Sequence, residues 1–488
     1  MQTAGLWMLL SVAILMMATG LPAWILLIGV ALFFSIGGLA LGTFTLPLLT
    51  AMPARLLGLL EHDLLQALPL YVFMGALLNR LPLADILFRV GTRMFARAGV
   101  PRGADMSLAG LSLGTLLAPM NGSVGASVLM LARTVQPKLD AAGSPAEQSA
   151  ALTCMASTMG IIVPPSLVLI LLGDAMLRAH TEAVNASAFA LGTTARIINT
   201  QDIFHAALVP AGLLLALCLL ITLAKLMGRK PAFSLPLQPI APEKINWREM
   251  LIAVCTTLFV VALMAGVALG YLYAVEAAAT GGVALFWAGI ASRTMTWPLL
   301  KNVLRDTMAV TGALFALLMA ATMFTLVVRA FGTDRWVAAQ LLGMEGSAYM
   351  TLAVVLGILA ITAFVLDAFE MIFVVIPIVI PPLLMQVPDA PWVAVLTLLI
   401  LQTSFLIPPF GYAVMMVRNR APHHLHTSKL ITALLPYLIA QLVVLAAVIA
   451  FPNMLWREAK VTLAPTATDP APQESLQEML DRQQSPGK

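Results

Sequence analysis

Apolar residues run through this chain in blocks too long and too continuous for the strands or half-buried helices of a water-soluble fold. The blocks at 5–20, 22–49, 64–80, 148–173, 203–226, 249–270, 272–292, 307–328, 392–417 and 430–452 read as membrane spans, since roughly 20 mostly apolar residues cross a bilayer. That predicts about ten spans. Two more apolar blocks do not fit single helices. The block 106–135 is interrupted by Pro119-Met120-Asn121-Gly122-Ser123, and 349–386 carries Asp367 and Glu370 in its middle and then Pro377 and Pro381-Pro382. Each is long enough to enter the membrane partway and return. Such re-entrant backbone is tolerated only where protein or water covers it. The pair Pro381-Pro382 reads as the end of the second hairpin.

Composition fixes the solvent. The chain is 60% hydrophobic and only 10% charged, with a mean hydropathy of +0.95, against about 25% charged residues in a soluble protein. A net charge of +4 gives no reason to expect nucleic acid; in a membrane protein the placement of the basic residues matters more. Arg80, Arg89, Arg93, Arg97 and Arg102 form one cluster, Lys225, Arg229, Lys230, Lys244 and Arg248 a second, Arg293, Lys301 and Arg305 a third, and Arg418 with Arg420 a fourth. With the spans above, all four fall on one side, the cytoplasmic one, and both termini fall outside. No charged residue precedes Arg55, so the start reads as a retained membrane helix and not as a signal peptide with a basic leader.

Between the spans, the proline-rich stretch 227–249 reads as a cytoplasmic linker between two halves, 176–202 as an outside insertion, and the polar, Pro- and Gln-rich tail 457–488 as disordered. Each half repeats one order of parts: a span, an irregular hairpin, then a span broken by two prolines. The first broken span holds Ser157, Thr158, Gly160, Val163, Pro164 and Pro165; the second holds Thr403, Ser404, Pro408, Pro409 and Gly411. The first unit starts outside and the second inside, so the halves are inverted. Proline lacks an N–H and clashes with the preceding turn, so each pair should break its helix and free carbonyls at membrane depth. Left unpaired in lipid, those oxygens would cost several kcal/mol each, and a bound cation is one partner for them. A half-helix N-terminus beside them can face a carboxylate. Broken helices in corresponding positions of two halves point to a transporter binding site; a single such pair could equally be a kink.

Other candidates carry less. A carboxylate at mid-bilayer costs roughly 2.5–3.5 kcal/mol on insertion scales, so Asp367 and Glu370 read as a coupling site or as groups that orient the hairpin tip. His423, His424 and His426 follow Pro422 in a basic loop without an acidic or Cys partner, which is weak ground for a metal. Glu61-His62-Asp63 reads as a solvated outer loop that could help dock a partner. Arg89, Arg93 and Arg97 recur at helical spacing and read as an interfacial arm facing lipid headgroups. Cys154, Cys218 and Cys255, with no CxxC spacing, read as buried small side chains. No HExxH or GxSxG sequence and no paired aspartates of an intramembrane enzyme occur, so the chain reads as no enzyme.

From about Leu6 to Phe451, the residues resemble the large permease subunit (DctM-like) of tripartite ATP-independent periplasmic (TRAP) transporters. The resemblance rests on 122–127 (Gly-Ser-Val-Gly-Ala-Ser), 157–166 and 402–411. The runs 171–174 (Leu-Leu-Gly-Asp), 366–370 (Leu-Asp-Ala-Phe-Glu) and 402–405 (Gln-Thr-Ser-Phe) are similar to the mannitol/chloroaromatic-type branch, which also holds transporters of 2-oxo acids and lactate. The resemblance implies an all-α polytopic protein of the bacterial inner membrane, an inverted-repeat elevator-type transporter coupled to Na+ with no organic cofactor, importing small organic acids. It implies two partners besides membrane lipids: a small four-helix membrane subunit (DctQ-like) and a periplasmic substrate-binding protein. Scaffold would occupy 1–103, 203–305 and 306–348. The moving domain would occupy 104–175 and 349–417, with 418–456 as the last helix. Sodium would lie near Asn121, Gly122, Ser123, Ser157, Gly160, Val163 and Pro164 in one half. In the other it would lie near Asp367, Thr403, Ser404 and Pro408. Three departures stand out: Ser127 where many members carry an acidic residue, Ile400 and Ile407 where Asn and Thr are expected, and the bulky Pro119-Met120 in the first tip. An autonomous elevator carrier that needs no binding protein is the alternative, with a membrane-embedded enzyme behind it.

Overall fold

The structure is a computed structural model that describes residues 2–43, 50, 52–60, 63–101, 103–191, 198–227, 246–344, 347–407, 411–419 and 425–455. All its regular elements are helical. The described part of 1–456 is one compact unit, and burial divides its helices into two kinds. Within the first broken span, the most apolar 18-residue window of Ala146–Ala186 is 100% buried, and that of Ala368–Gln386 is 83% buried; for Ala23–Ala40, Ala274–Ala291 and Thr427–Ala450 the share is 39%, and for Trp247–Ala268 only 22%. A helix that is apolar all round is buried in protein or faces lipid. The first kind lies inside protein; the second turns large apolar side chains such as Leu258, Trp287 and Ile439 outward, which lipid accepts without cost. Ala390–Leu406 belongs to the inner kind, with every residue buried except Pro391.

Eight of the described helices are long and apolar enough to cross a membrane, or nine if the bent pair Leu65–Arg80 and Leu83–Arg97 counts as one span. Two expected spans are shorter than that. Ala4–Thr19 has 16 residues, and Ala390–Leu406 has 17 because its break ends it. Both hairpins form where the interruptions placed them. In the first, Ala104–Leu117 leads to a 3-10 turn at Ala118–Asn121, then Gly122, and the chain returns along Val124–Thr134. In the second, Ala348–Thr362 leads to a tip ending at Asp367, and the chain returns along Ala368–Gln386.

Four spanning helices separate the two broken spans: Thr200–Met227, Trp247–Ala268, Ala274–Ala291 and Trp297–Ala330. The second hairpin leaves and re-enters on one side. That parity makes the two broken spans run through the membrane in opposite directions, as the inverted repeat requires.

Several expectations need correction. Pro381 and Pro382 do not end the hairpin. They lie buried inside Ile376–Gln386, just beyond a π-helical stretch at Met371–Val375. Both prolines are packed within protein, the surroundings in which an intramembrane proline is tolerated. Much of the outside insertion is helix, since Leu167–Leu191 runs on past residue 176. Arg89 is not committed to headgroups: it forms a half-buried ion pair with Glu249, N–O distance 2.9 Å, which ties the arm to Trp247–Ala268. Cys255 is exposed while Cys154 and Cys218 are buried, because its helix faces lipid over most of its surface. Glu61, His62, His423, His424 and the tail 457–488 lie outside the described residues. His426 precedes the last helix, Thr427–Ala450, as its N-cap residue. No group of three or more His, Cys, Asp or Glu able to hold a metal occurs among the described residues.

Candidate functional site: two hairpin tips at two helix breaks

The first break follows from residue chemistry. Ala146–Ile162 ends at Val163, whose backbone is extended (φ −83, ψ 118). The helical donors for the Gly160 and Ile161 carbonyls would be the amides of Pro164 and Pro165, which carry no hydrogen. Ser166 compensates for one of them. Its hydroxyl donates to the Ile161 carbonyl (3.2 Å) and accepts from the Leu169 amide (3.0 Å), so it caps the following helix. The Gly160 carbonyl gains no donor from the ladder. Ser157 and Thr158 spend their hydroxyl hydrogens on the Cys154 and Met155 carbonyls (2.8 and 3.0 Å), which leaves their oxygens free to accept a cation. Both residues are completely buried.

The first hairpin tip closes over this break. Gly122 turns the chain at φ +74, a conformation that a side chain disfavours. Ser123 then caps Val124–Thr134, its oxygen accepting from the Ala126 amide at 3.1 Å. The Asn121 amide nitrogen donates to the Ser127 hydroxyl (3.2 Å), and that hydroxyl donates on to the Ser123 carbonyl (3.1 Å). Thus Ser127, where an acid was expected, organises the tip without adding charge. The Asn121 Oδ1 is buried and without a hydrogen-bond partner among the described residues. Between tip and break lies a cavity of about 10 Å³, bordered by Ala118, Gly122, Ser123, Ser157 and Gly160, room for one water-sized occupant. Gly160 permits this approach: a Cβ there would fall 2.6 Å from the Ala118 carbonyl carbon.

The second break repeats the first. Ala390–Leu406 also has 17 residues, and Ile407 is extended at φ −78, ψ 112, close to the angles of Val163. Counting from the first residue of each helix sets Thr158 against Gln402, Gly160 against Ser404 and Val163 against Ile407. Thr403 and Ser404 are buried and return their hydroxyl hydrogens to the Leu399 and Ile400 carbonyls (2.6 and 3.0 Å). Pro408 and Pro409 lie outside the described residues. Gly411 follows, its amide donating to the Ile407 carbonyl at 2.9 Å.

At the second tip, Asp367 and Glu370 form a reciprocal cap. The Asp367 side chain accepts from the Glu370 amide, and Glu370 Oε2 accepts from the Asp367 amide at 3.1 Å. These two hydrogen bonds orient the tip, one of the two roles that the sequence left open. Glu370→Gln keeps an acceptor oxygen and should melt within a degree or two of the parent. Glu370→Ala removes one bond of the pair and should lose about 0.5–2 kcal/mol, visible as a lower midpoint in thermal unfolding of the purified protein. Equal midpoints for the two variants would remove the cap from the account.

Two residues that sequence reasoning passed over belong here. Tyr412 lies within electrostatic reach of Asp367 and Glu370, stacks at a tilt on Phe405 with centroids 5.9 Å apart, and places its hydroxyl where a Cβ on Gly125 would be 2.8 Å away. It joins the second tip, the second break and the return arm of the first hairpin. Gln402 is wholly buried, and neither amide atom has a partner among the described residues. An aromatic just past a diproline break and an amide one residue before the Thr-Ser pair were the available signals. The halves also meet at Cys154, whose thiol donates to the Ala413 carbonyl at 3.7 Å.

An all-helical, multi-pass protein with paired re-entrant hairpins and paired interrupted helices belongs to the class of membrane transport proteins, and the comparisons with known proteins specify the family. The model of the DctM component of the tripartite ATP-independent periplasmic transporter matches residues 10–454. The chain is 23% identical to the sialic acid TRAP transporter large permease protein SiaM of Vibrio cholerae over 89% of this chain and 93% of that one. It is 25% identical to the C4-dicarboxylate TRAP transporter large permease protein DctM of Pseudomonas aeruginosa over 86% and 93%. Among solved structures, the Alcanivorax borkumensis YdaH transporter shares the fold at 16% identity and a TM-score of 0.53, covering 84% of this chain and 89% of that one. The chain belongs to the DctM family of TRAP transporter large permeases. It is a multi-pass inner-membrane transport protein and not an enzyme.

Proposed function

We propose that this chain is the sodium-coupled permease of a binding-protein-dependent importer of small organic acids, 2-oxo or hydroxy acids among them. The observation that carries the reading is the first break itself, where the Gly160 carbonyl loses its helical donor and the Ser157 hydroxyl oxygen is free to accept, both beside the small cavity under the first tip. A small cation with weak demands on geometry suits such a set of neutral oxygens. The second break offers the hydroxyl oxygens of Thr403 and Ser404, the latter at the position of Gly160. The buried broken spans and the two hairpins would move as one body against the lipid-facing helices, in an elevator motion. A periplasmic binding protein would load the substrate, and a small membrane subunit would widen the fixed frame.

Reconstitution tests this. Proteoliposomes holding the chain with its small subunit should take up a radiolabelled 2-oxo acid only under an inward sodium gradient and only with a loaded binding protein. Uptake without the binding protein would favour the autonomous carrier. Uptake indifferent to sodium would end the coupling assignment.

A further inference from the structure

Beside the start of the return arm of the second hairpin, on the face opposite the basic clusters, a cavity of about 420 Å³ lies between inner and outer helices, within the size range of small-molecule sites. Its charged lining comes from three elements. Met52–Leu60 contributes Arg55, Leu167–Leu191 contributes Asp174, Arg178 and Glu182, and Trp297–Ala330 contributes Arg329. Three guanidiniums therefore face two carboxylates. Arg178 is held by Asp174 one helical turn away (3.0 Å), and Arg329 reaches across to Glu182 (3.0 Å). Arg55, among the described residues, has no acid beside it. The rest of the wall is largely apolar, with Leu318, Ile372 and Phe373 prominent.

One uncommitted guanidinium, a second held only by a solvent-exposed ion pair, and an apolar floor match a particular chemistry. Guanidinium forks bind carboxylates in bidentate geometry, and an exposed ion pair is worth no more than about 1 kcal/mol, so an incoming carboxylate can displace Glu182 from Arg329. The net excess of one positive charge suits a monoanion. The apolar floor suits a hydrocarbon body and disfavours an inorganic anion.

We propose that this cavity is a reception site for a small monocarboxylate with an apolar body. The carboxylate would rest on Arg55 and Arg329 and the hydrocarbon on Leu318 and Phe373, before the acid reaches the hairpin tips. The proposal deepens the organic-acid reading above and rests on it. Because Arg329–Glu182 bridges an outer helix to an inner one, arrival of the acid also unfastens that contact.

The test uses the full chain in nanodiscs, phenylglyoxal as the arginine reagent and peptide mass spectrometry as the readout, with 4-methyl-2-oxopentanoate as the probe. At about ten times its half-saturating concentration, the probe should slow modification of Arg55 and Arg329 roughly tenfold by simple occupancy. Sulfate and 3-methylbutanol, which carry the charge and the body separately, should not. Arg55→Gln should abolish protection of Arg329, and Arg55→Lys should retain part of it. Gly160→Val, which lies at the first break, should leave protection intact. Protection of Arg329 that survives Arg55→Gln, or equal protection by sulfate, overturns the site. So does absence of protection, whether or not the protein transports. Protection in a protein that shows no sodium-driven uptake would leave the site standing and remove the transport reading instead.

Discussion

Gly160→Val is expected to weaken sodium activation of uptake severely while the protein still inserts and purifies as a single species. The added Cβ would lie 2.6 Å from the Ala118 carbonyl carbon and 2.7 Å from its oxygen. These are backbone atoms at the hairpin tip and cannot swing aside as a flexible side chain would. Tip and break must separate, and the cavity of about 10 Å³ between them loses its shape. Overpacking of this kind costs about 1–3 kcal/mol. Set against the ion-loaded geometry, that corresponds to roughly 5–150-fold weaker sodium activation. Gly160→Ala should fall between parent and valine, since its single carbon makes the same contact without branching. The measurement is the sodium concentration giving half-maximal uptake in proteoliposomes, with size-exclusion profiles as the control for folding. An unchanged sodium response in the valine variant would show that the first break does not hold the coupling ion.

The second large effect runs in two directions at once. Gln402 is 0% exposed, and neither Nε2 nor Oε1 has a partner among the described residues. An unsatisfied buried amide costs about 1–3 kcal/mol, and leucine fills nearly the same volume without polar atoms. Gln402→Leu should therefore raise the unfolding midpoint. If the amide is held in reserve for cation or substrate, the same variant should lose uptake by at least roughly tenfold, a difference of about 1.4 kcal/mol. Gains in stability at the expense of activity are the usual mark of a site residue. A lower midpoint, or full uptake at a higher one, would make Gln402 an ordinary core residue. Gln441, also fully buried with neither amide atom partnered, is the natural comparison. It lies on Thr427–Ala450, a helix that belongs to neither broken span, and Gln441→Leu should stabilise without touching uptake.

Much of the architecture could be read from the order of residues because the signals are local. Apolar length sets a span. Pro119-Met120-Asn121-Gly122-Ser123 cannot continue a helix, so the first hairpin turns there, and Asp367 caps the second where a polar residue interrupts an apolar block. The diproline break at Pro164-Pro165 needs nothing beyond two missing amide hydrogens. The same local rule misjudged Pro381-Pro382, since whether a helix survives two prolines depends on what covers the freed carbonyls.

Sequence alone thus determined the apolar spans, the two hairpins, the inverted halves and the first diproline break, because each follows from the chemistry of a few neighbouring residues. Only the tertiary structure decided which groups meet. It set the Ala118 carbonyl against Gly160, Tyr412 between three elements, Gln402 in an apolar core without a partner among the described residues, and Arg329 on Glu182, 147 residues away in the chain. Those contacts arise from how separate helices pack, and no periodicity along one segment encodes the face it will find on another.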